Sequence, residues 1–78
     1  MHDIKNLVLR FKYGKEVCID KGCNIYCSDE EEKTFFEGNL ALFFAENFQY
    51  KDSPYFLMYY KEHLENMGAE ILEFHLIH

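Results

Sequence analysis

Tryptophan is absent from this 78-residue chain, proline occurs once and glycine four times. So few turn-formers leave no room for a flexible linker, a low-complexity tract or a glycine-rich phosphate loop, and no internal repeat is visible. No apolar run approaches the ~20 residues of a membrane span. No basic, apolar-centred leader opens the chain, so the expectation is a cytoplasmic protein with no membrane partner. Cations are also scarce. Eight Lys and Arg stand against 14 Asp and Glu, for a formal net charge of −6. Most of that charge lies in residues 34–78, where Glu37, Glu46, Asp52, Glu62, Glu65, Glu70 and Glu73 outnumber Lys51 and Lys61. Such a chain is poorly equipped to neutralise phosphates, and direct nucleic-acid binding is not expected. A basic protein partner, including one that itself binds nucleic acid, suits it better. Acidity also serves simple solubility.

What the chain does have is apolar bulk. Hydrophobic residues make up 49% and aromatics 18%, enough for one folded domain over residues 1–78, near the size where a single core is only marginally stabilising.

Residues 3–13 alternate, with Leu7, Leu9, Phe11 and Tyr13 on one face and Val8, Arg10 and Lys12 on the other, which predicts a half-buried strand. After a turn at Gly14-Lys15, a second strand runs from Glu16 to Asp20. Asp20-Lys21-Gly22 reads as a tight turn closed by the glycine, and Cys23–Cys27 as a short third strand. Ser28 or Asp29 then caps a helix near 30–48, with Ser28 and Glu31 at capping-box spacing and Glu30, Glu31 and Glu32 complementing its dipole. Helix-start electrostatics accounts for that acidic run without a binding role.

Phe36, Leu40, Phe43 and Phe44 share one face of this first helix, while Phe35 and Leu42 lie well round from them. Gly38 either permits a close approach or marks a weak spot. Ser53 and Pro54 open a second helix that Gly68 ends. Its core stripe is Phe56, Tyr60, Leu64 and Met67. Residues 69–78 alternate again, with Leu72, Phe74 and Leu76 opposite Ile71, Glu73, His75 and Ile77. The expected fold is α+β: a small antiparallel sheet in β-β-β-α-α-β order, first and last strands adjacent, both helices packed on one face. The other face then displays Val8, Arg10, Lys12, Cys18, Glu73 and His75.

Candidate chemistry is thin. Cys18, Cys23 and Cys27 are spaced C-x4-C-x3-C, with His75 or His78 as the candidate fourth ligand of a zinc set, yet paired C-x2-C knuckles are missing. Free thiols are the default. His63 has no second ligand at i+4, and no histidine has a visible orienting carboxylate. Ser28 and Ser53 are explained as caps. In Arg10-Phe11-Lys12-Tyr13, alternation separates the rings from the cations, which weakens a base-stacking reading. No catalytic residue and no cofactor is expected.

The second helix carries the functional signal. Tyr55, Met58 and Tyr59 point away from its core stripe, beside Glu62, Glu65 and Asn66. Rigid rings with polar tips, set among acids, suit a protein-binding surface. Phe35 and Leu42 extend that surface or form a homodimer seam. In size, acidity and layout the chain resembles the small inhibitors encoded by phages and mobile elements, anti-CRISPR and anti-restriction proteins among them. That resemblance is one of general character and implies a partner whose cationic nucleic-acid site is occupied. The expected function is a non-enzymatic inhibitor or adaptor that binds a basic partner through Tyr55, Met58, Tyr59, Glu62 and Glu65. The alternatives are a metal-binding or thiol-based regulator using Cys18, Cys23, Cys27 and His75, and a structural homodimer.

Overall fold

The computed structural model describes residues 6–77. The expected strand start at residue 3, His2, His78 and the side chain of Leu76 lie outside what it describes. Strands β1 (Asn6–Phe11), β2 (Val17–Asp20) and β3 (Ile25–Cys27) form a meander. Helices α1 (Glu30–Glu46) and α2 (Phe56–Asn66) follow, joined through a 3-10 turn at Phe48–Tyr50, and β4 (Ile71–Ile77) returns to the sheet. The sheet order is β3-β2-β1-β4 and every pairing is antiparallel. This is the expected α+β arrangement, with first and last strands adjacent.

The alternation read in β1 and β2 sets the two faces. Leu7, Leu9, Val17, Ile19 and Ile25 are buried with Phe36, Leu40 and Phe43 of α1 and Phe56, Leu57, Tyr60 and Leu64 of α2. Each of the large apolar side chains in that cluster contributes about 1.5–3 kcal/mol. The opposite face carries Val8 between Cys18 and His75, and Arg10 beside Glu73 at 3.7 Å.

Several local expectations are corrected. Tyr13 is 78% exposed because β1 ends at Phe11, before the chain turns through Gly14 at φ 103. In the β2–β3 turn the positive φ belongs to Cys23, at 65, and not to Gly22. Asp20 dictates this: its carboxylate accepts the N–H groups of Gly22 and Asn24, both at 2.9 Å, and its carbonyl accepts the N–H of Cys23. A three-residue hairpin loop puts its left-handed residue third, and Cys23 occupies that place.

The cap of α1 is Asp29, which accepts the N–H of Glu32 at 3.0 Å; Ser28 does not serve. Around Gly38 a Cβ would meet nothing within 4 Å, so the glycine permits no close approach. Ser53 holds a turn ahead of α2, which begins at Phe56 with Tyr55 as its cap residue. Met67 is exposed at the C-cap while Leu57 takes a core position. Gly68 at φ 96 ends the helix in a Schellman pair, its own N–H bonding Glu65 O and that of Ala69 bonding Leu64 O. In β4 a register shift opposite Arg10 and Phe11 turns Ile71 inward against the core and leaves Leu72 exposed.

Candidate protein-interaction surface

Helix α2 is anchored by what it buries. The Tyr60 hydroxyl donates to Asn39 Oδ1 at 2.7 Å, tying α2 to α1, and burial pushes this phenol well above its usual range. The Phe43 ring meets Phe56 at 5.4 Å, Tyr60 at 5.3 Å and His63 at 4.8 Å. With that side fixed, the helix has no freedom to turn its outer residues inward.

Those outer residues are the ones singled out from the sequence. Ser53 Oγ accepts the N–H of Tyr55 at 3.1 Å, which sets the turn from which that ring projects. Tyr55 is 47% exposed and Tyr59 41%. Tyr59 meets Tyr50 edge-to-face at 6.2 Å. Between them and the α1–α2 junction lies a concavity of about 480 Å³, walled by Asn47, Tyr50, Tyr59, Glu62, His63 and Asn66 and floored by Phe43 and Phe56. Asn47 is itself fixed, its side-chain amide and its backbone N–H both donating to Phe43 O at 3.0 Å.

Met58 is half-buried against the core, and so offers less area than its neighbours. Glu65 is bridged by Lys61 at 2.9 Å, and that ammonium also sits 3.9 Å from the centre of the Phe74 ring. Charge on Glu65 is therefore partly answered within the chain. Glu62 is exposed and has no ion-pair partner among the described residues. The same pairing recurs elsewhere: Arg10 meets Glu73, Lys12 meets Glu70 and Lys51 meets Asp52. Arg10, Lys12, Lys51 and Lys61 are thus taken up by these acids, and Glu37, Glu46 and Glu62 on the helices have no ion-pair partner among the described residues.

Phe35 does not join Tyr55 and Tyr59. It lines a separate groove of about 520 Å³ with Tyr13, Glu31 and Met67. Leu42, two turns further along α1, is also exposed. Tyr50 falls in the connection, where no helical or strand period marks it. Its signal was an aromatic pair, Phe48 and Tyr50, in a segment otherwise polar.

The cysteine set is not brought together. Cys18 stands on the open face opposite Val8 and Tyr26, Cys27 packs against the core opposite Val17, and Cys23 sits in the turn. His75 lies across β1 from Cys18, two strand spacings or roughly 10 Å away. Among the described residues no three His, Cys, Asp or Glu side chains are grouped to hold a metal ion. All three cysteines are free. Burial, then the charge of Asp20, pushes the thiols of Cys18 and Cys23 up, away from the reactive thiolate. No helix among the described residues is long and apolar enough to cross a membrane. Compared with protein-family models, curated proteins and solved structures, the chain finds no match.

Proposed function

We propose that this protein is a non-enzymatic interaction module, an inhibitor or adaptor, that engages a basic partner protein through the outer face of α2. The observation that carries this reading is the concavity beside Tyr50 and Tyr59 with the unanswered carboxylate of Glu62 on its wall. Two tyrosines held edge-to-face present rigid apolar area with little entropy left to lose, as binding anchors require. Glu62 gives orientation and speeds encounter with a cationic surface. Tyr55 extends the aromatic area toward the start of the helix. An Arg- or Lys-bearing loop is the kind of partner segment that suits a shallow, aromatic-floored site with one carboxylate, Glu62, on its wall. The resemblance to phage-encoded inhibitors favours a partner that itself binds nucleic acid. A cytoplasmic setting goes with this reading, since three unpaired cysteines persist as thiols there.

Charge reversal tests it. With the partner in hand, Glu62→Lys should weaken binding more than Glu65→Lys, because Lys61 already offsets Glu65. Affinity should also fall with added salt. Binding indifferent to both Glu62→Lys and ionic strength would remove the acidic surface from the mechanism.

A further inference from the structure

Strand β4 reads Ile71-Leu72-Glu73-Phe74-His75-Leu76-Ile77, the same from either end except that an acid answers an imidazole. It is also an edge. β4 pairs with β1 on one side and with no other strand among the described residues. The opposite edge, β3, has three residues and β4 has seven. Natural edge strands are protected by being short, by charge, by proline or by a bulge; β4 has seven residues, no lysine and no proline, and its bulge lies at Leu72, before the stretch from Phe74 to Ile77. Leu72, Phe74 and Ile77 are all exposed, at 57%, 41% and 46%.

We propose that β4 is a homodimer seam, in which two copies pair antiparallel about a two-fold axis through Phe74 to make one continuous eight-stranded sheet. An isologous contact must be complementary to itself, and this strand is. Phe74 meets Phe74 of the second copy and Glu73 faces His75 twice over; the bulge at Leu72, which turns Ile71 inward, confines the match to these three central pairs. Neighbouring registers fail. A shift of two positions sets Glu73 against Glu73 or His75 against His75, and a shift of one sets these polar residues against Phe74 and the leucine positions.

The two polar pairs fall on the open face, where Glu73 already has Arg10 at 3.7 Å and His75 at 3.8 Å. Phe74 is on the helix side, opposite Leu9 in the ladder and under Lys61. The row of apolar positions across the seam therefore continues the core of each copy. The three central pairs lie clear of the bulge at Leu72. None of the residues that line the concavity beside Tyr59 belongs to β4.

Sedimentation equilibrium on the full chain tests the seam. The native chain should show a mass that doubles with concentration. His75→Glu places acid against Glu73 in both pairs and should weaken the dimer roughly tenfold or more. Adding Glu73→His to His75→Glu restores an acid–imidazole pairing and should recover it. Since His75 and Glu73 are exposed, circular dichroism should find all three chains folded. Amide exchange on the native chain gives a second readout that needs no variant: outward-facing β4 amides should gain protection as concentration rises. A native chain monomeric at all concentrations overturns the proposal, as does a dimer insensitive to His75→Glu, or one the double exchange fails to recover. A dimer lost instead in Phe35→Glu would move the seam to α1.

Discussion

Both carboxylate oxygens of Glu32, in the first turn of α1, accept the backbone N–H of Lys15 at 3.1 Å, across 17 residues of sequence. The contact ties the β1–β2 loop to the helix that begins after β3. It also fixes what can stand at Gly14, where φ is +103 and an added Cβ would collide with Glu32 Oε1.

Gly14→Ala should therefore lose stability on two counts, backbone strain and displacement of Glu32. The expected cost is about 1–3 kcal/mol, read as a lower urea midpoint at unchanged slope. Tyr13, already outside the core, should show no matching loss when changed to Ser.

Gly38 predicts the reverse sign. It lies mid-helix with nothing within 4 Å of a built Cβ and no unusual backbone conformation to preserve. Gly38→Ala should stabilise by about 1 kcal/mol. In a domain of this size that raises the melting temperature by roughly 4–8 °C. A fall in the melting temperature would mean that this position is covered.

Tyr60 links stability to alkaline pH. An unfolded phenol ionises near pH 10, whereas burial holds the native one higher, so the native state keeps the proton that the unfolded state releases. The contribution is whole below about pH 10 and is lost progressively above it. Denaturant titrations from pH 7 to 11 should show this loss in the native chain. Tyr60→Phe should remove this pH dependence while costing about 1–2 kcal/mol at pH 7, since Asn39 Oδ1 loses its 2.7 Å donor.

The element order was legible because hydrophobic period separates strand from helix clearly here: Leu7 and Leu9 against Val8, then Phe36, Leu40 and Phe43. The ends of α2 were legible only in part. Gly68 marks its stop, but nothing local says that Leu57 goes inward and Met67 outward; the position of α1, through Phe43 and Asn39, decides that. Likewise Cys23 takes a positive φ because Asp20 collects the surrounding amides, a choice that a preference for glycine at such positions misplaces onto Gly22. At the candidate site, Tyr55, Tyr59 and Glu62 were visible as residues too large or too polar for the core stripe. Tyr50 was not, since its place beside Tyr59 depends on how the α1–α2 connection folds back.

The most direct measurement is affinity capture from source-cell lysate with the native chain beside a Tyr55→Ala/Tyr59→Ala variant shown by circular dichroism to be folded. The account predicts that a basic protein is retained by the native chain, reduced at least tenfold on the variant and released by salt. Equal retention of the partner by both chains would contradict it.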